Sequence, residues 1–171
     1  MCSCNDSTDL LIGTWKGRIN SKYYKGFDIP AEALALNAKG IPGYKSNLQS
    51  CFKFGGDGEG YEEVRFSTIY ENDQDHVVKH DWSYAEHFPI HWRVVKISSK
   101  NYLVVKHLSR EIIDVNGENP DKTRSDAEGS LDFLSGKVDT MDFQIVNDIE
   151  LQLRYFPSKD TSTYSKYIRA K

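Results

Sequence analysis

From Leu11 to Arg169 the chain reads as a succession of short strand-like runs separated by turns rich in Gly, Asn, Asp and Ser, and that leaves few architectures open. Strands left at a sheet edge expose unpaired backbone groups, and a closed barrel removes the edges. The cleanest run is Ile149-Glu150-Leu151-Gln152-Leu153-Arg154-Tyr155, where apolar and polar residues alternate with the period of a strand. Cys51-Phe52-Lys53-Phe54 alternates likewise, turns through Gly55-Gly56-Asp57-Gly58-Glu59-Gly60, and returns from Tyr61 to Tyr70 with Val64, Phe66 and Thr68 on one face. That is a hairpin signature. Further strands are expected at Val77–Tyr84, Ile90–Ile97, Tyr102–Val105, Ile112–Val115, Val138–Phe143 and Tyr164–Arg169.

The first strand opens with Leu10-Leu11-Ile12-Gly13-Thr14-Trp15-Lys16, and its Trp is flanked by Gly13 and Gly17. Glycines let backbone approach closely, so a large indole can be tucked against a neighbouring strand end. This is the reading of a strand that plugs one end of a small barrel. Only Pro30–Leu36 gathers good helix formers, between Asp28 and Gly40-Ile41-Pro42, and it is expected as one short helix. The polar stretch from Asn116 to Gly129 is expected as a long loop. The fold expected is all-β, an antiparallel up-and-down barrel of about 8–10 strands whose interior is filled or holds one small ligand. Residues 1–9 form a tether, and residues 10–171 a single domain.

A chain of 171 residues with a net charge of −3 has no basic excess to recommend nucleic acid as a partner. No apolar run approaches the roughly 20 residues of a membrane-spanning helix. Met1-Cys2-Ser3-Cys4-Asn5-Asp6-Ser7 resembles the mature start of a bacterial lipoprotein, with Cys4, behind the small Ser3, preferred over Cys2 for lipid attachment. The alternative is a pair of unreactive thiols in a frayed terminus.

Three passages in order resemble the small lipocalin-like lipoproteins of Bacteroidetes. They are Leu11–Lys16, then Phe52–Gly60, then Asp148–Leu151 with the terminal Tyr167-Ile168-Arg169. The resemblance implies a lipocalin-like barrel in the bacterial cell envelope, lipid-anchored and facing the periplasm or the cell surface. It also implies that Trp15, beside Gly13, packs beneath a basic residue of the last strand, here Arg169, in a cation–π contact. A Thr-Asp-Tyr second motif is lacking.

No arrangement announces catalysis. There is no Gly-x-Ser-x-Gly elbow, and the Gly55–Gly60 run precedes a strand with Glu62 and Glu63 rather than a helix that would cradle phosphate. His76, His80, His87 and His91, with Asp81 and Glu86, crowd one region without zinc-ligand spacing. The acids and amides from Asp114 to Asp121 do not match a calcium loop. Cys51 reads as a small core residue. No metal or cofactor is expected. Trp82, Tyr84, Phe88 and Trp92 are the densest aromatic cluster, and they either fill the core or line the barrel mouth. As mouth residues, Trp82, Tyr84 and Trp92 are the ligand-binding candidates. The function expected is non-enzymatic binding of a small hydrophobic molecule. The alternative is an interaction module of a cell-surface complex, with a filled barrel and a protein partner.

Overall fold

The computed structural model describes residues 7–18, 44–72, 77–130, 132, 134–156 and 164–171. Its elements in chain order are α1 (Ser7–Leu11), β1 (Gly13–Arg18), β2 (Tyr44–Phe54), β3 (Glu59–Asn72), β4 (Val77–Ile97), β5 (Lys100–His107) and β6 (Glu111–Gly117). There follow α2 (Pro120–Glu128), β7 (Val138–Val146), β8 (Glu150–Phe156) and β9 (Ser165–Arg169). Eight strands close an antiparallel barrel in the order β1-β2-β3-β4-β5-β7-β8-β9, and β9 returns to β1. The all-β antiparallel barrel expected from the strand string is the fold found, and it agrees with the lipocalin-like barrel that the resemblance implied.

β6 is the one departure from a simple meander. It continues the return path of β5 along the same edge of β4, whose residues 90–97 pair with β5 and 82–87 with β6. Pro89 stands at the changeover. It has no N–H to give, and it lies where the ladder passes from one partner to the other, so no hydrogen bond is lost there. Its carbonyl accepts from Leu108 N at 2.9 Å. The sequence reading broke this region into two strands at Tyr84 and Ile90; β4 is continuous there because its other edge stays paired with β3 from Val77 to His91, with one register shift at Thr68/Ile69.

The polar stretch expected as a loop from Asn116 to Gly129 instead holds the C-terminal end of β6 and all of α2. The Asn119 side chain caps α2 by accepting from Lys122 N at 3.0 Å, and Pro120 fits the first turn, where no N–H is needed. Of its residues only Ala127 is buried. The helix covers the outer edge of β6, and Arg124 Nη1 donates to Ile112 O at 3.0 Å. The expected helix at Pro30–Leu36 lies outside the described residues, as do residues 1–6 of the tether. From Ser7 the chain is already helical.

Alternation along each strand sends one set of side chains inward. Trp15, Phe52, Phe54, Ile90, Trp92, Leu103, Val105, Met141, Leu151, Leu153 and Tyr167, with Leu11 beneath, form the main core. A smaller cluster of Val64, Phe88 and Leu134, with Phe66 beside it, lies further along the barrel. Cys51 falls between inward-facing Ser50 and Phe52; it is only half-buried, on the outer face rather than in the core.

Candidate functional site

The barrel interior has three tiers, and the lowest is shut. Arg169 opposite Trp15 places its guanidinium 4.3 Å from the indole centroid. It donates to Ile12 O at 2.8 Å, Asp148 O at 2.9 Å and Leu10 O. Gly13 is needed here, because a Cβ at that position would stand 2.9 Å from Arg169 Nη1 and its φ is +134°. Trp15 Nε1 donates to Leu11 O at 2.7 Å, which ties α1 under the first strand. Gly13, Trp15 and Arg169 thus occupy the closing arrangement that the resemblance implied.

Trp92 belongs to this end too. It is 5% exposed, meets Phe54 edge-on at 5.1 Å, and shares its Nε1–H between Gly55 O and Glu59 O at 3.1 Å each. Its expected place at the mouth is therefore corrected: the tight turn at Gly55–Gly58 holds it at the closed end, ten positions along β4 from Trp82, about 33 Å of extended strand.

The middle tier is polar. Glu62 on β3, His107 at the end of β5 and Asp139 on β7 all face inward and are buried. His107 Nε2 and Glu62 Oε2 lie 2.6 Å apart, and Ser50 Oγ donates to Glu62 Oε1 at 3.2 Å. On the other side of the ring, His107 Nδ1 faces Asp139 Oδ2 across 3.8 Å, beyond hydrogen-bond length. Neither atom has a hydrogen-bond partner among the described residues. Burial pushes the Asp139 carboxyl up; Lys137, 3.7 Å from Oδ1, and His107 work against that rise. Phe88 packs edge-on to the imidazole at 5.9 Å. Each unmet buried polar atom costs on the order of 1–3 kcal/mol, so this tier is held against its own preference.

The upper tier is aromatic and half-buried. Phe66 on β3 stacks on Tyr84 of β4 at 5.0 Å, and Tyr84 on Trp82 at 5.8 Å, with planes 23° and 14° apart. Tyr84 and Trp82 share inward parity with Phe88 and Ile90. Burial pushes the Tyr84 phenol up, with the neighbouring Glu86 adding to the effect. Glu86 lies between this shelf and Phe88, and burial raises its carboxyl to about 7 against the pull of Arg110. Arg110 reaches Glu86 at 3.4 Å and also donates to Ser130 Oγ, Ser130 O and Glu128 O at 3.0–3.1 Å, which fastens the segment after α2 to the barrel wall.

No protein-family model and no curated protein matches this sequence.

Of the expected ligand-binding residues, the structure brings Trp82 and Tyr84 together and sets Trp92 apart. Of the histidine group, the described His87 and His91 face different partners. His87 packs on Tyr61 at 4.9 Å, and exposed His91 lies 3.9 Å from Glu59. His76 and the His80 side chain fall outside the described residues, as does Cys4. Among the described residues no three His, Cys, Asp or Glu side chains are grouped so as to hold a metal ion. The sequence reading missed Glu62, His107 and Asp139. A signal existed in each strand: all three share parity with apolar inward residues, as in Leu103-Val104-Val105-Lys106-His107.

Proposed function

We propose that this chain is a lipocalin-like binding protein whose inner chamber takes a small, largely hydrophobic molecule, and that it acts as a binder and not as an enzyme. The observation that carries this reading is the stacked Phe66–Tyr84–Trp82 shelf. It lies on the inner face of the barrel and is only half-buried, opposite an end shut by Trp15, Trp92 and Arg169. Half-exposed inward aromatics offer apolar area to a ligand. The buried His107 supports binding over nucleophilic chemistry, because the nearby Ser50 hydroxyl is directed to Glu62.

Native mass spectrometry of protein purified from its host, beside tryptophan-fluorescence titration with fatty acids, sterols and oligosaccharides, tests the proposal. A co-purified molecule or saturable quenching that Trp82→Ala weakens is the expected result. A bare mass with no response to any ligand class would overturn it.

The resemblance to Bacteroidetes lipoproteins supports a lipid anchor at Cys4 and a place in the cell envelope. Cys4 precedes α1, and α1 lies under the closed end, so an anchor there would direct the aromatic shelf away from the bilayer. Metabolic labelling with a palmitate analogue, lost in Cys4→Ser, is the check.

A second reading, an interaction module with a protein partner, draws on the outer face. There Lys16, Cys51, Tyr61, Arg65, Lys166 and their neighbours line a groove of about 810 Å³, with Ile168 exposed among them. Charge reversal at Lys16 and Lys166 that abolishes capture of a specific envelope protein, with ligand binding absent, would favour it.

A further inference from the structure

We propose that His107 Nδ1 and Asp139 Oδ2 form a head-group subsite for a primary ammonium group, which deepens the binding reading above and rests on it. The two atoms belong to β5 and β7, strands that pair with one another, and they face each other across 3.8 Å in the barrel interior. Both side chains are more than nine-tenths buried, and neither atom has a hydrogen-bond partner among the described residues.

The chemistry selects the occupant. With its Nε2–H given to Glu62, a neutral imidazole presents a bare, accepting Nδ1. A proton on Nδ1 could not be given to Asp139 Oδ2 either, since 3.8 Å is beyond hydrogen-bond length. Asp139 Oδ2 is also an acceptor, so two acceptors confront one another. One group carrying at least two hydrogens, about 2.8 Å from each atom, satisfies both.

Charge narrows the choice further. Two carboxylates, Glu62 and Asp139, flank the ring, and among the described residues Lys137, itself 40% exposed, is the cation beside Asp139 Oδ1. With the ring neutral, the balance is one negative charge in excess, which favours ammonium over a neutral donor. A quaternary ammonium has no N–H to give, and its methyl groups do not fit between atoms this close. A primary ammonium meets both demands.

The aromatic shelf lies along the same strand face as the subsite. On the inner face of β4, Phe88 touches the imidazole, and Tyr84 of the aromatic shelf lies four residues further along, about 13 Å. A long alkyl amine with its charge at His107 would run its chain toward Tyr84, past Glu86 and against the Val64–Phe88–Leu134 cluster.

The test uses the full chain with ¹⁵N-labelled histidine. The His107 Nδ1 resonance is followed during titration with methylammonium chloride and, separately, tetramethylammonium chloride. Tryptophan fluorescence is followed with decylamine and with decanol. The expected result is a saturable Nδ1 shift with methylammonium only, and decylamine bound about tenfold more tightly than decanol. Asp139→Asn, checked for folding by circular dichroism, removes both effects, and Lys137→Met, which raises the local negative charge, strengthens them.

If both salts leave Nδ1 unmoved, or move it alike, the subsite is overturned and a buried water bridges the two atoms. Decanol and decylamine bound equally overturn the subsite but leave the carrier reading standing. An Nδ1 shift with methylammonium, but no response to either long-chain probe, supports the ammonium site and overturns the carrier reading. No response in any arm overturns both.

Discussion

Asp148 presents its carbonyl to Arg169 because its own backbone is left-handed. Asn147 and Asp148, at φ +53° and +58°, form the turn between β7 and β8, and Arg169 Nε donates to Asp148 O at 2.9 Å. Asn and Asp tolerate that conformation better than most residues. The same guanidinium stacks on Trp15 and caps carbonyls at the end of α1, so one side chain joins the first strand, the first helix and a turn late in the sequence. Arg169→Ala is expected to lower unfolding free energy by about 3 kcal/mol, from lost charged hydrogen bonds and the cation–π contact. Arg169→Lys recovers only part, since a point charge cannot serve three carbonyls and a ring face together. Urea denaturation, compared at unchanged m-value, measures both.

Trp82 and Trp92 should separate stability from binding. Trp92→Phe removes a buried indole N–H that two carbonyls share and is expected to cost about 1–2 kcal/mol of stability while leaving ligand affinity unchanged. Trp82→Ala is expected to weaken a ligand held on the shelf by roughly tenfold, with little change in melting temperature. Thermal melts run beside ligand titrations of the two variants decide it; the reverse pattern would move the binding surface to the closed end.

Glu86 should make stability fall between acid and neutral pH. Burial lifts its folded-state value from 4.5 to about 7, ahead of the opposing pull of Arg110. Between those values the unfolded chain has lost a proton that the folded one keeps. Stability from this group is therefore full below about pH 4.5, declines as pH rises to about 7, and is level beyond. The side chain is only 12% exposed, and the change is of order 3 kcal/mol. Glu86→Gln flattens the profile over that window. Chemical denaturation at a series of pH values for both proteins is the measurement.

Asp142 works in the opposite sense. Burial pushes its carboxyl up, but hydrogen bonds from Lys100, Tyr164 and Arg154 outweigh this and hold it below the ordinary carboxylate range. Its stabilisation is present above the unfolded value of 3.8 and is lost as acid takes the pH down through the lowered folded value. Asp142→Asn leaves three donors without their anion. It is expected to destabilise the protein at neutral pH by about 3 kcal/mol, with the difference narrowing in acid.

Gly60 is expected to accept no side chain. A Cβ there would lie 1.9 Å from Lys53 O, which is backbone and cannot step aside. Gly60→Ala should cost at least about 2 kcal/mol and speed amide exchange at Gly55 and Trp92, whose N–H groups the turn engages. Gly56→Ala, where a Cβ meets Ile12 Cδ1 at an ordinary 3.6 Å, serves as the control.

The barrel was legible wherever a signal is local. Alternation identified the strands, the Gly55–Gly60 run identified the hairpin, and the Trp15–Arg169 pairing followed from chain order once the resemblance was in hand. What stayed hidden depends on partners. α2 is polar on nearly every face, so no apolar stripe marks it, and its readable sign was the cap Asn119-Pro120-Asp121. Pro89 falls between the strands expected at Val77–Tyr84 and Ile90–Ile97, and a ladder that normally needs every N–H passes through it only because β6 hands over to β5 there. Glu62, His107 and Asp139 come from three strands, each showing an acid or imidazole at an inward position. Parity gives the face but not the depth, so their convergence exists only once the barrel closes.

That closure has a cost in time. β1 finds one neighbour in β2 but its other in β9, and the Leu10–Arg169 contact spans 159 positions. Contacts this distant in sequence form late, because the loop between them must be closed before any energy is returned. A nascent chain can fold the β3–β4–β5 meander while one edge of β1 still waits, with its glycines and apolar run uncovered. The Arg169 clasp can therefore close only after β9 has reached β1, so the contact that seals the barrel end is also the one that waits for nearly the whole chain.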